Sequence, residues 1–170
     1  MSDEVNVIQR TQLIIVEPSS GSVAIINAGP QGPAGPVGPA SSAYVLQVAL
    51  SDPNGSAIIT NTSVATLRIP ATLNGKNLSG VAMLCTTPSS SGVVTVDINR
   101  SRRATATSRT TVSVLSTKLT VDATEYDSID ATPAVINVAN DDVVTGDAYL
   151  FDIDTAGTGC KGLLVELTFS

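Results

Sequence analysis

The sequence predicts an all-β protein in three parts: an N-terminal β-hairpin within residues 1–28, a collagen-like linker over 29–40, and a β-sandwich or jelly-roll head over 41–170. Three observations predict it. Val, Thr and Ser are abundant while Lys and Glu are few, a mixture that favours strands over helices. Short apolar runs alternate with turn residues from residue 44 onward, and no window shows a helical period. Ahead of them stands Gly29-Pro30-Gln31-Gly32-Pro33-Ala34-Gly35-Pro36-Val37-Gly38-Pro39-Ala40, with glycine at every third position.

The first element is apolar. Residues 5–17 read as one or two strands, Pro18-Ser19-Ser20-Gly21 as a turn, and 22–26 as a further strand. An isolated hairpin is marginal in water, so the apolar residues Val5, Val7, Ile8, Leu13, Ile14, Ile15, Val16, Val23, Ile25 and Ile26 need a cover. Sister chains or another protein would supply it, which makes the segment a candidate anchor.

The Gly-X-Y run follows. In a triple helix only glycine fits at the crowded axis, and proline presets the polyproline II backbone. Gly29, Gly32, Gly35 and Gly38 would therefore line the axis of a homotrimer. Proline occupies X and never Y, so no hydroxylase is implied, and a microbial or viral source fits. The run spans roughly 35 Å at the polyproline II rise, and so short a rod needs flanking parts to hold register. The other reading is a plain polyproline II spacer in a monomer.

The head should hold strands at 44–50, 56–60, 64–69, 77–86, 92–98, 110–115, 118–121, 134–138, 148–153 and 162–169. Turn chemistry separates them, as in Asp52-Pro53-Asn54-Gly55, Asn74-Gly75 and Gly157-Thr158-Gly159. With two Phe, three Tyr and no Trp, the core must be aliphatic. Alternation nominates Val48, Leu50, Leu67, Ile69, Val81, Met83, Val94, Val96, Leu150, Leu163, Val165 and Leu167.

Little chemistry is on offer. The chain has no histidine, which removes Ser-His-Asp and Cys-His catalysis and most zinc sites. Gly157 to Gly162 leads into a strand rather than a helix, so it reads as a turn and not a phosphate loop. No catalytic residue and no cofactor is assigned. Asp152 and Asp154 share one strand face, near Asp141 and Asp142. They are weak candidates for a calcium site or a glycosidase pair, against solvent-facing charge offset by Lys161 or an arginine. Arg100, Arg102 and Arg103, with Arg109 close by, read as a long hairpin tip. They could contact an acidic partner or an anionic cell-surface polymer, or form a solvated loop, or pair with Asp122, Glu125, Asp127 and Asp130 of the same or a neighbouring subunit.

The net charge of −6 argues against nucleic acid as a partner. No run of 18 apolar residues predicts membrane insertion. Met1-Ser2-Asp3-Glu4 lacks a basic n-region, so synthesis in a cytoplasm without a secretory signal is expected. Cys85 and Cys160 read as buried free thiols, or as a disulfide formed after release from the cell.

The whole pattern resembles small tail-fibre, minor tail and head-fibre or decoration proteins of tailed bacteriophages. The resemblance rests on Gly29 to Ala40, on Val93 to Asn99, and on the segment from Asp152 to Leu163, similar to a "DID…GTG.KGL" ending. It implies a structural virion homotrimer fixed by its N-terminus to other virion proteins, tail or capsid, with the head outward. The alternative is an adhesin whose head binds a host-surface glycan or protein. Scarce aromatics weaken a glycan site built on ring stacking.

Overall fold

A computed structural model describes residues 43–170 and the backbone of two short strands before them, Ile15–Val16 (β1) and Ala24–Ile25 (β2). β1 and β2 pair antiparallel, with Ile15 opposite Ile25 and Val16 opposite Ala24. The remainder of the expected anchor and the whole Gly-X-Y run lie outside the described residues. The chain divides into two compact units, Met1–Ala40 and Ser41–Ser170.

The second unit is all-β, with one 3-10 turn at Ala71–Leu73. Its strands are β3 (Tyr44–Ala49), β4 (Asn61–Arg68), β5 (Leu78–Leu84), β6 (Val94–Arg103), β7 (Arg109–Ser113), β8 (Leu115–Thr117), β9 (Leu119–Val121), β10 (Val135–Ile136), β11 (Ala148–Ala156) and β12 (Leu164–Phe169). Three form one sheet in the order β3-β12-β5. A larger sheet runs β4-β11-β6-β7, and β9 continues the β7 edge by pairing the first half of β6. β8 and β10 make a separate ribbon. All these pairings are antiparallel.

Period-two alternation decides which face each strand buries. β6 turns Val94, Val96 and Ile98 inward; β11 turns Tyr149, Phe151 and Ile153; β12 turns Val165, Leu167 and Phe169. These residues form one continuous core. The rings of Tyr149 and Phe169 lie 6.0 Å apart, so an aromatic contact joins the two sheets. Two antiparallel sheets closing on one core are consistent with a β-sandwich.

Most expected strands are present, with informative departures. Residues 56–60 are not a strand: Ile58 is buried and its N–H donates to Cys160 O at 2.8 Å, while pairing to β11 starts only at Asn61. The run 110–115 breaks at Val114. There Ser113 Oγ takes the Leu115 N–H at 3.1 Å, and the chain leaves β6 to pair with β10 as β8. β6 runs on to Arg103 instead of ending at 98. Leu150 is half-buried and outside the core, because β11 has the opposite phase and turns Tyr149 and Phe151 inward. Val48, Leu67 and Val81 pack against the core at partial burial, and the other eight nominated residues are buried in it.

The turn between β11 and β12 is held by a buried serine. Ser89 Oγ donates to Ser91 O at 2.6 Å and accepts the Thr158 N–H at 2.8 Å. Gly157, at φ +58°, backs onto that serine so closely that a methyl group there would overlap Ser89 Oγ. Gly162, at φ +62°, is as tight: a methyl group would overlap Thr86 Oγ1 and stand 2.9 Å from Pro53 Cα. Gly159 shares the left-handed conformation but faces open space. Gly159→Ala should therefore cost about 1 kcal/mol, the conformational term alone. Gly162→Ala should cost at least about 3 kcal/mol, because overlap adds to it. Urea unfolding midpoints check the order; equal losses would contradict this packing.

Candidate functional site

Asp152 and Asp154 lie on the outer face of the larger sheet, on the side away from Phe151. The register sets Asp152 directly opposite Asp97 of β6, and like charges so placed repel. Donors surround them. Asn99 Nδ2 donates to Asp152 Oδ2 at 2.9 Å, and Ser113 Oγ to Asp97 Oδ1 at 2.7 Å. Lys118 Nζ lies 2.5 Å from Asp154 Oδ2 and 3.3 Å from Asp97 Oδ2. The counter-ion is thus Lys118, not the Lys161 or arginine expected. Asp152 Oδ1 accepts the Ser63 N–H at 2.6 Å. Ser63 sits at φ 53° in a bulge of β4, so the carboxylate satisfies an amide that the ladder has released. Both aspartates serve the sheet, and among the described residues no group of three acidic or cysteine side chains is placed to hold a metal ion.

The arginines are not a hairpin tip. Arg100, Arg102 and Arg103 form the last half of β6, and the turn to β7 follows them. Arg100 is 8% exposed and lies opposite Tyr149 at the end of the core. Its Nη1 reaches Asn140 O at 3.0 Å, Asp142 O at 2.6 Å and the Asp142 carboxylate. Arg102 bridges Asp142 at 2.8 Å and Asp147 at 2.7 Å. Asp147, 2% exposed, also takes the Val144 N–H at 3.0 Å. The partners are therefore Asp142 and Asp147, not Asp122, Glu125, Asp127 or Asp130. Arg102 beside it, then Arg100, holds the Asp142 carboxyl below the usual aspartate range. Arg109 donates to Ser101 Oγ at 2.9 Å, and Arg103 to Thr105 O at 3.0 Å. Arg103 is the one of the three candidates exposed to a partner.

The two cysteines are free and buried. Burial, then the adjoining Cys85, pushes the Cys160 thiol up to about 12. Cys85 is raised by burial and donates to Glu125 O at 3.6 Å. Burial thus favours the neutral thiol over the thiolate at both positions.

One open apolar surface among the described residues is not among the sites that the sequence predicts. It is the outer face of the three-stranded sheet. Register places Val45, Gln47 and Ala49 of β3 beside Thr168, Glu166 and Leu164 of β12, and these beside Gly80, Ala82 and Leu84 of β5. Gln47 Nε2 donates to Glu166 Oε2 at 2.9 Å, across the middle of the face. At its Leu84 end the segment 126–129 closes a groove of about 360 Å³, with Tyr126 60% exposed and Ile129 80% exposed. The sequence signal was the alternate set of each strand, the small residues left over once the core set was chosen.

Of the remaining candidates, Gly29, Gly32, Gly35, Gly38, Val5, Val7, Ile8, Leu13, Ile14, Val23 and Ile26 lie outside the described residues, and Ile15, Val16 and Ile25 are described in backbone only. The described residues of the second unit define an all-β fold consistent with a β-sandwich. No family model, curated protein or solved structure matches the chain.

Two outcomes follow from the ion pairs and the core beside them. Asp142→Asn should destabilise at pH 7, since it removes the charge that Arg100 and Arg102 face. The native carboxyl titrates below its unfolded value, so its contribution is present above about pH 4 and fades as pH falls through the folded value. Thermal unfolding of wild type and variant should converge in acid, and a constant gap would contradict the ion pair. The Tyr149 hydroxyl is buried with no protein partner among the described residues. Tyr149→Phe should change stability by less than about 1 kcal/mol, or raise it, whereas Phe151→Ala should cost about 3–5 kcal/mol.

Proposed function

We propose that the chain is a structural virion protein of a tailed bacteriophage. In this reading it is a trimeric fibre or decoration, attached by its N-terminus and projecting the β-rich unit. The observation that carries it is the Gly-X-Y run at 29–40 placed directly before a compact all-β unit. A triple helix needs glycine at every third position, because only glycine fits at the axis that three chains share. Supporting it, Arg100, Arg102, Asp142 and Asp154 are engaged in ion pairs, and Asp152 accepts from Ser63 and Asn99. A second reading, an adhesin for a host-surface glycan or protein, draws support from the groove beside Tyr126 and Ile129. Binding of the full chain on a glycan array or to host cells would favour it.

The test is mass by light scattering across dilution and temperature. Wild type should show three times the 17.3 kDa chain mass. Gly35→Ala should loosen the trimer without unfolding the head, because a methyl group clashes at the shared axis. In a polyproline II spacer the same change would be silent. Deleting residues 5–26 should leave a soluble head that no longer joins particles; normal incorporation would remove the anchor assignment.

A further inference from the structure

The outer face of β3-β12-β5 is built unlike the other outer face of the head. The larger sheet carries a polar ladder there: Asp152 with Asn99, Asp97 with Ser113 and Lys118, and Thr95 Oγ1 with Thr155 Oγ1 at 2.8 Å. The smaller sheet presents Gly80, Ala82, Leu84, Leu164, Val45 and Ala49, small or apolar side chains on a pleated surface. Its one charge, Glu166, already holds the Gln47 amide. A face of this kind lets another polypeptide approach closely.

β3 sharpens the point. It is the edge strand of its sheet, and Val45 is 51% exposed. Proteins that leave an edge in water blunt it with charge, proline or a bulge. Tyr44-Val45-Leu46-Gln47-Val48-Ala49 has no charged residue and no proline, and it pairs with β12 without a register shift. Such an edge asks for cover.

Chain connectivity names the occupant. Only residues 41–43 separate Ala40, the last residue of the Gly-X-Y run, from Tyr44. Four extended Cα steps reach at most about 14 Å. If three chains wind on one axis as far as Ala40, each β3 strand would begin within that reach of the axis. We propose that three copies of this chain meet in the head through β3 and the outer face of the β3-β12-β5 sheet. The inference rests on the trimeric reading above and adds the surface that holds it together.

Full-length chains carrying Val45→Arg and, separately, Ala49→Arg test it by light scattering over dilution. Each places a charge on the face while leaving the core untouched. Far-UV circular dichroism should match wild type, and the concentration at which trimers dissociate should rise at least tenfold. Gln47→Cys, at an exposed position, gives a second measurement that needs no destabilised face. A short bis-maleimide should join its chains into covalent dimers at micromolar protein, the largest product that one reactive thiol per chain allows, while buried Cys85 and Cys160 stay unmodified. If wild type is trimeric, Gly35→Ala weakens it, yet the arginine variants dissociate normally and Gln47→Cys gives no cross-linked species, the rod stands and this interface is wrong. A wild-type chain that is monomeric throughout removes the trimeric reading, and the interface with it.

Discussion

The pairing of β11 with β6 is the constraint from which the rest of the head follows. One register places Phe151 opposite Ile98 and Ile153 opposite Val96, which puts bulky apolar side chains at the centre of the larger sheet. The same register carries Arg100 opposite Tyr149, bringing a guanidinium to the rim of the core. A charge there is tolerable only when paired, and the segment 140–147 supplies Asp142 and backbone carbonyls to do so. On the opposite face it aligns Asp152 with Asp97, and Lys118 with the Asn99 amide offsets the repulsion. A slip of one residue would reverse every one of these positions. The core, the arginine cluster and the carboxylate ladder are therefore one arrangement.

Seven charged residues of the head are held in ion pairs: Arg100, Arg102 and Lys118 with Asp97, Asp142, Asp147 and Asp154. Arg102 ties the end of β6 to the turn that precedes β11, through Asp147. Lys118 ties the start of β9 to β11. These groups are neutralised in place and stiffen strand ends. Among the described residues, the outer face of the smaller sheet with its groove is an open surface. Surfaces suit a protein whose work is assembly or attachment, which accords with the proposed role.

Much of the fold was legible because strand alternation and turn chemistry are local. Val94, Val96, Val165 and Leu167 are apolar at every second position, and they are core. Ser56-Ala57-Ile58-Ile59-Thr60 misled because an apolar run does not say whether a partner strand lies beside it; only Ile58 is buried there. Leu150 misled for a related reason. Tyr149-Leu150-Phe151 is apolar at three successive positions, so alternation could not choose the phase, and the larger rings took the interior. Arg100 to Arg103 looked like a loop because charge is normally solvated. The partners of Arg100 and Arg102 are Asp142 and Asp147, forty or more residues away in the chain.

The sequence by itself determined the β class, the strands whose apolar residues alternate, the aliphatic character of the core and the absence of histidine chemistry. Each is a property of composition or of neighbours within a few residues. The tertiary structure alone decided the phase of β11, the partners of the arginines, the role of Asp152 as acceptor for the Ser63 amide, and the open face of β3-β12-β5. These depend on which strands lie side by side and in what register. Register is settled by burying the largest apolar area across strands distant in sequence, which no local pattern records.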